Sequence, residues 1–391
     1  MSISSFVFSL PTVEELLDAI ARLDELGARV DRIGTSSGGR PIYSVDIGSG
    51  DIVVFIVATQ HGSEPAPAIA TTLFLYRLLK DDLRPKLKKS DVLSKVRIIA
   101  VPLANPDGYA KLVSCMRNVE PSWSRPCIEA RYINGRDPNR DWLELTLPEV
   151  RAIHALLTKI RPHIVLDLHE FYAKGGCPPR WPHETEGFDA YVTDTPYLGV
   201  SSEVMWVSYT LAKRIRDVAE AVSGWSVKLA RPNGIAPYPP IYLGTHAPLE
   251  GSAKILVESW GVGLGNYLLT DRVSIHLEAI AETVIFAIDS HRDLLDMVEG
   301  DRDYDMSIGR RYSAVFHIRG RDLGEAKRIL ESHGVEVEII DEELRVRIPN
   351  RVGVNRIALS MLSNEFFLNK ALPPRKRYTL EKLLDVSIET T

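Results

Sequence analysis

Cysteine is scarce in this chain of 391 residues, which contains only Cys115, Cys127 and Cys177. An odd number of cysteines without Cys-x-x-Cys spacing argues against a disulfide framework and against a structural zinc knuckle. Cys115 and Cys127 are nevertheless close enough in the sequence to pair across a short loop. The sequence therefore favours free thiols and leaves this single bond as an alternative.

Long apolar runs and an excess of basic charge are also absent. No stretch approaches about 18 consecutive apolar residues, so we predict no membrane partner. The amino-terminal segment MSISSFVFSLPTVEELL has neither the basic start nor the sustained apolar run of a signal peptide, and we therefore predict a cytoplasmic protein. The net charge of −5 comes from interspersed charges of both signs, which is not typical of a nucleic-acid-binding surface. The oligomeric state stays open.

What the sequence does contain is alternating helices and apolar strands. Hydrophobic residues make up 45% of the chain, enough for a large core. Helical periodicity predicts helices over 12–27, 67–82, 146–162, 202–223 and 273–300, and apolar runs predict strands over 52–60, 95–103, 163–171 and 253–261. This alternation predicts an α/β fold with a mixed, mostly parallel central sheet flanked by helices. The long stretch 105–142 has no clear period, and such loops are usually functional.

The sequence pattern changes after about residue 305, where short predicted elements follow the order β-α-β-β. We therefore predict two domains, a large α/β domain over 1–304 and a small α+β accessory domain over 305–391. No residue of the second domain indicates its role. Its basic segment PPRKRY at 373–378 is more typical of a solvated tail than of a nucleic-acid contact.

Two apolar runs end in residues that suit a metal ion. His61 and Glu64 follow the run IVVFIVATQ and stand three apart where a helix is predicted to begin, so they would present an imidazole and a carboxylate on one face. The run HIVLDLHEF brings His169 near its end. Two histidines and one glutamate would leave a fourth position open, which is the pattern of catalytic zinc.

Six motifs span roughly residues 10–300: GxSxxGRPI at Gly34–Ile42, HGSE at His61–Glu64, ANPDGY at Ala104–Tyr109, DPNRDW at Asp137–Trp142, LDLHE at Leu166–Glu170 and VESWG at Val257–Gly261. Taken together, they resemble the carboxypeptidase A-like zinc metallocarboxypeptidases, and they occur in that family's order. The resemblance implies one zinc ion per chain, held by His61, Glu64 and His169. It also implies that Glu258 is the catalytic carboxylate that activates a zinc-bound water and returns a proton to the leaving amine.

The same resemblance assigns residues around the metal. Asn139 and Arg140 match the pair that binds the free carboxylate at the end of a peptide, where a planar guanidinium gives a two-pronged grip. An arginine upstream of this pair would stabilise the charged carbonyl oxygen. Arg131 fits that role best, and the alternatives are Arg125, Arg136 and Arg117.

The resemblance also suggests a tyrosine that caps the substrate and a carboxylate behind the metal, and one further glutamate competes for the catalytic role. Tyr242 or Tyr238 would cap the bound substrate, with a slight preference for Tyr242. Asp107, in the turn expected under the metal, would accept the free N–H of a ligand histidine. Glu170 competes with Glu258 for the catalytic role because it follows His169 directly. Neighbouring residues on a strand point to opposite faces, so Glu170 ranks second, although a bend in the strand could bring it into the site.

The function predicted from the resemblance is a zinc-dependent carboxypeptidase that hydrolyses the C-terminal peptide bond. A zinc-dependent deacylase or amidase, acting on N-acyl amino acids or cell-wall peptides, is the alternative within the same fold. A non-catalytic binding protein is the alternative from another class. Glu170 replaces the small polar residue usual after the last zinc ligand, and the loops 172–200 and 226–252 do not align with the specificity pocket of the digestive enzymes, so the preferred side chain stays open.

Overall fold

The computed structural model describes residues 3–117, 120, 127–172, 189–194, 199–230, 240–311, 314–320, 323–347, 353–362 and 384–390. Tyr238, Arg125, Cys177 and the segment 373–378 lie outside this part of the chain. Within it, no helix combines the length and apolar character needed to cross a membrane.

Eleven helices occur in the described residues. They are α1 (Val13–Ala21), α2 (Pro65–Leu79), α3 (Lys89–Lys95), α4 (Pro106–Met116), α5 (Pro148–Ile160), α6 (Ser202–Ser223), α7 (Leu243–His246), α8 (Leu269–Asp289), α9 (His291–Arg311), α10 (Leu323–Ser332) and α11 (Asn355–Leu362). The first begins with the Thr12 side chain accepting a hydrogen bond from the Glu15 amide, while the Glu15 carboxylate accepts one from the Thr12 amide. This reciprocal capping box satisfies amides that a helix start leaves free.

The strands of the described residues form two sheets. They are β1 (Arg29–Thr35), β2 (Pro41–Ile47), β3 (Ile52–Ala58), β4 (Val96–Val101), β5 (Ile164–Phe171), β6 (Ala190–Thr193), β7 (Val227–Leu229), β8 (Ala253–Trp260), β9 (Ala314–Gly320), β10 (Val337–Ile340), β11 (Glu343–Arg347) and β12 (Leu384–Thr390). The large sheet has the order β1-β2-β4-β3-β5-β8-β6-β7. Its centre, β4-β3-β5-β8, is parallel, and β1/β2, β2/β4 and β6/β8 pair antiparallel.

Helices cover both faces of this sheet, as β3 illustrates. Val54 and Ile56 pack into a core shared with α2, α6 and α8, whereas Phe55 and Val57 pack into a second core with α5. Alternate residues of a strand point to opposite faces, so a strand covered on both faces must be apolar throughout. The predicted α/β class with a mixed, mostly parallel sheet flanked by helices is confirmed.

The second sheet has the order β10-β11-β9-β12 and is antiparallel throughout. The domain boundary predicted between residues 304 and 305 falls inside α9, so a continuous helix leads from the first unit toward β9. Arg356 binds Asp301 and Asp305 of that helix at 2.6 and 2.8 Å. The division into two domains stays a prediction.

Three expectations about local structure were wrong. The stretch 105–142 contains α4, whose start is capped by the Asn105 side chain accepting from the Gly108 amide. The single helix predicted over 273–300 is two helices, because α8 ends at Asp289 and α9 begins at His291. The thiols of Cys115 and Cys127 are not free, since they form a disulfide.

The disulfide joins the end of α4 to the turn Ile128–Arg131 and so restrains the position of Arg131. Sequence spacing alone did not favour the bond, because pairing depends on how the intervening loop folds back. The cytoplasmic location stays a prediction.

Candidate active site

A turn between β3 and α2 carries the first two site residues. His61 and Glu64 both precede α2, so they are not paired on a helical face as expected; Glu64 is its N-cap residue. The Thr59 hydroxyl holds the turn, since it donates to the Glu64 carbonyl at 2.8 Å and accepts from the Ala68 amide at 3.1 Å. Gly62 packs so closely on the Gly108 backbone that a side chain there would overlap it. The turn is therefore fixed from both sides.

His61, Glu64 and His169 form one buried cluster, with exposed fractions of 3%, 0% and 2%. The Nδ1 atoms of His61 and His169 lie 2.7 and 2.8 Å from the two carboxylate oxygens of Glu64. The same two Nδ1 atoms lie 3.2 Å from each other. Two imidazole nitrogens and a carboxylate that converge in this way are a donor set suited to zinc.

The outward-facing ring nitrogens fit the same interpretation. His61 Nε2 lies 2.9 Å from Asp137 Oδ1, and His169 Nε2 lies 2.8 Å from Asp167 Oδ1. Histidines that bind metals usually donate their other N–H to a carboxylate, which turns the free lone pair toward the ion. Both Nδ1 atoms are therefore oriented as ligands.

The electrostatics of the cluster favour a positive charge at its centre. Burial lowers the pKa of His169, but the charges of Asp167 and Glu64 outweigh it and raise that pKa well above its ordinary value. Burial raises the pKa of Glu64, but the charges on His61 and His169 outweigh it and hold that pKa far below the ordinary range. A divalent cation would supply the positive charge that these carboxylates require.

Asp107 does not accept the N–H of a ligand histidine, and this prediction was wrong. Its carboxylate accepts from the Gly38 amide at 2.6 Å and from Arg40 Nη1 at 2.7 Å. Asp107 lies in the first turn of α4 and faces the loop between β1 and β2, which it ties down. Asp137 occupies the place beside His61.

Arg131 lies at the edge of the cluster. Its Nη1 donates to Glu64 Oε1 at 3.1 Å, and its Nη2 donates to Asp137 Oδ2 at 3.2 Å. Burial lowers the pKa of Arg131, but the charges of Glu64 and Asp137 outweigh it, so the pKa is raised and the group stays cationic.

The described alternatives to Arg131 lie elsewhere. Arg136 binds Glu144 and Thr146 at 3.1 and 2.7 Å, and Arg117 follows the last residue of α4. Among the candidate arginines that the structure describes, Arg131 is the one that contacts Glu64.

Asn139 and Arg140 also reach this region. The Asn139 amide nitrogen lies 3.3 Å from His169 Nε2, and its Oδ1 accepts from the Leu243 amide at 3.0 Å. Arg140 is bonded to the Asn139 carbonyl at 2.7 Å, and its guanidinium lies 4.1 Å from the centre of the Tyr242 ring. The structure therefore brings Asn139, Arg140 and Tyr242 together beside the histidine cluster.

Glu258 stands next to His169 on the adjoining strand β8. Its carboxylate accepts a hydrogen bond from Tyr191, the residue opposite it on β6. Burial, reinforced by the charge of Glu64, outweighs the opposing effect of His169 and raises the pKa of Glu258. A raised pKa brings a carboxyl group closer to exchanging protons near neutral pH.

Glu170, the competing carboxylate, points away from the cluster. It forms a buried ion pair with Arg272 at 2.7 Å and accepts from the Ala66 amide at 3.0 Å. A side chain on Gly261 would overlap the Glu170 carboxylate, which explains the glycine of VESWG. Strand alternation separates Glu170 from His169, as expected.

Sequence reasoning missed the carboxylates behind the histidines and the tyrosine beside Glu258. Asp167 could have been found, because residues two apart on a strand share a face and His169 is two positions on. Asp137 opens the DPNRDW motif, but nothing local pairs it with His61. No local sequence pattern could have predicted that Tyr191 contacts Glu258, because this contact depends on β6 pairing antiparallel with β8.

A sequence model of the zinc carboxypeptidase family matches residues 13–218, which is more than half of the chain. The chain therefore belongs to the zinc carboxypeptidase family. "Carboxypeptidase 2" of Trichophyton equinum is 24% identical over 259 residues, which cover 63% of this chain and 44% of that protein. "Carboxypeptidase A4" of Mus musculus is 30% identical over 142 residues, which cover 34% of this chain and 32% of that protein.

Solved structures agree on the fold. Carboxypeptidase A from Helicoverpa armigera superposes with a TM-score of 0.51 at 16% identity, covering 73% of this chain and 75% of that one. A metallo-carboxypeptidase from Pseudomonas aeruginosa, in complex with (2-guanidinoethylmercapto)succinic acid, superposes at 0.50 with 16% identity, covering 72% and 69%. The chain spans less than half the length of the Trichophyton relative. At these identities the likeness concerns the fold alone.

Proposed function

We propose that this protein is a zinc-dependent carboxypeptidase that removes the C-terminal residue of peptides. The observation that carries the proposal is the buried cluster of His61, Glu64 and His169, with Glu258 beside it on the neighbouring strand. Family membership supports hydrolysis, whereas the residue roles rest on the geometry of this chain.

His61, Glu64 and His169 would hold one zinc ion through two Nδ1 atoms and the Glu64 carboxylate. Zinc bound there supplies Lewis acidity toward a water molecule and a carbonyl oxygen. Asp137 and Asp167 keep the two imidazoles in the orientation that this requires.

Glu258 would move the protons. As a carboxylate of raised pKa it takes a proton from the attacking water and delivers one to the departing amine nitrogen. The hydrogen bond from Tyr191 fixes the direction of its carboxylate. The new C–O bond forms as water adds to the carbonyl carbon, and the peptide C–N bond then breaks as the protonated amine leaves, so the products are a shortened peptide acid and a free amino acid.

Arg131 and Arg140 would each bind a negatively charged group of the substrate. For Arg131 this is the carbonyl oxygen of the scissile bond, and for Arg140 it is the terminal carboxylate. Arg131 stays cationic at the edge of the cluster and stabilises negative charge on the carbonyl oxygen. Arg140 and Asn139 grip the terminal carboxylate, and the stack of Arg140 on Tyr242 positions the guanidinium. Tyr242 would cap the substrate, with Tyr238 as the alternative.

The proposal is tested with metal-analysed protein on a panel of N-blocked dipeptides and N-acyl amino acids. Cleavage of blocked dipeptides that falls about 100-fold or more in Glu258→Gln, with bound zinc unchanged, supports the carboxypeptidase. Turnover of acyl amino acids alone would favour the deacylase or amidase. Neither metal nor turnover would favour a non-catalytic binding protein.

A further inference from the structure

A second cluster of histidines lies apart from the candidate active site. His154 of α5, His246 at the end of α7 and His333, which directly follows α10, come from three separate elements. Their ring centres lie 4.9 to 5.2 Å apart, in a nearly equilateral triangle. One nitrogen of each ring lies within 4.8 Å of the others, and the residues are 4%, 0% and 5% exposed.

Hydrogen bonds determine which nitrogens carry protons. His333 Nε2 lies 2.8 Å from the Leu143 carbonyl, which can only accept, so Nε2 carries the proton. His246 Nε2 lies 3.0 Å from Glu250 Oε1, which holds that ring in the same tautomer. With the Nε2 proton placed by these contacts, Nδ1 of each ring is the nitrogen that faces the cluster without a hydrogen-bond partner among the described residues.

Three buried ring nitrogens of this cluster have no hydrogen-bond partner among the described residues. They are Nδ1 of His246, Nδ1 of His333 and Nε2 of His154. A buried polar atom without a partner costs about 1–3 kcal/mol, and such atoms are rare in folded proteins. Three of them in one cluster indicate a ligand that accepts lone pairs.

Ring nitrogens without a hydrogen-bond partner suit a metal ion rather than an anion, and the pKa shifts of two of the three histidines agree with this. Burial, followed by the neighbouring His333 and His246, lowers the pKa of His154 well below its ordinary value. Burial and His246 lower the pKa of His333 to about 3. Neutral imidazole is the form that binds transition metals.

We propose that His154, His246 and His333 bind a second divalent transition-metal ion, zinc, in a structural site. Glu250, whose Oε1 lies 4.0 Å from His154 Nε2, supplies negative charge next to the ion. His333 directly follows α10, which packs on β10 and β11 of the second sheet, whereas His154 and His246 belong to α5 and α7. The ion would therefore link the end of α10 to α5 and α7. A hydrogen bond from Arg328 to the Glu144 carbonyl joins α10 to the same region.

This site does not depend on the proposed function, because it shares no residue with the cluster of His61, Glu64 and His169. Zinc is counted by elemental analysis and native mass spectrometry in the parent, in His61→Gln/His169→Gln and in His333→Leu. The parent is expected to hold two ions and each variant one, according to the two clusters. His291→Leu is the matched control, because that exposed histidine pairs with Asp51.

The outcomes separate the two sites. Loss of one ion in His333→Leu, together with one ion retained in His61→Gln/His169→Gln, establishes the second site even if no peptidase activity is found. A parent that holds at most one ion, lost in His61→Gln/His169→Gln and retained in His333→Leu, overturns it. If His333→Leu does not fold, cobalt titration of the metal-free parent decides, since a second saturating step is required and a single step overturns the proposal.

Discussion

The Nδ1 atoms of His61 and His169 lie 3.2 Å apart, although 108 residues separate them in the chain. Two imidazole nitrogens at this distance both face the Glu64 carboxylate, and each ring is held from behind by an aspartate. Residues that do not bind the metal themselves therefore hold the two histidines in the orientation that metal binding requires.

Asp137→Asn is expected to weaken zinc binding by about 10–100-fold, because it removes the charge that orients His61. Zinc affinity is measured by competition with a chromophoric chelator. Asp107→Asn is the matched control, since Asp107 binds Gly38 and Arg40 instead of a histidine. Equal loss of affinity in both variants would contradict the assignment.

Arg140→Ala is expected to raise KM for blocked dipeptides by about 10–100-fold, the effect of losing a charge-assisted hydrogen bond of about 1.5–3 kcal/mol. The same peptides with an amide at the C-terminus should be poor substrates for the parent and no worse for the variant. Arg136→Ala serves as the control, because Arg136 binds Glu144 and Thr146. Similar losses on acid and amide substrates would argue against a carboxylate grip.

The buried His276 is expected to make the free energy of unfolding depend on pH. Burial, followed by the charge of Arg272, lowers its pKa to about 3. At neutral pH both folded and unfolded states hold the histidine neutral. As pH falls below about 6.5, the unfolded chain takes up a proton that the folded protein refuses, so stability is lost.

The expected loss between pH 7 and pH 5 is about 2 kcal/mol from this residue. It is measured as the free energy of unfolding in urea across that range. His276→Gln, which keeps a polar side chain near Ser259, should have a shallower dependence on pH. Parallel curves for parent and variant would show that His276 is not the group responsible.

The disulfide between Cys115 and Cys127 is expected to contribute about 2–3 kcal/mol, in line with its short loop. Cys115→Ser/Cys127→Ser should lower the free energy of unfolding, measured in urea, by that amount. It should also lower activity, because Arg131 follows the bonded turn. A reductant should lower the stability and activity of the parent and leave those of the double variant unchanged. A parent that keeps both in reductant would exclude a role for this bond.

The sequence predicted much of the central fold. The run Ile52–Ala58 is apolar at every position, which indicated a strand covered on both faces, and the Thr12 capping box marked the start of α1. The local sequence pattern did not predict the ends of elements that are short or interrupted. The break between α8 and α9 lies at Ser290, and neither glycine nor proline marks it.

The sequence by itself also determined which residues end the central strands, because an apolar run followed by a histidine or glutamate is visible without coordinates. Only the tertiary structure decided what those residues face. Parallel pairing of β5 with β8 places Glu258 beside His169, and the returning loop places Asp137 behind His61. The triangle of His154, His246 and His333 had no local signal, because its members meet only when α10 packs against the first unit. The physical reason is that strand and helix patterns record burial along the chain, whereas contacts between distant residues depend on how the elements pack.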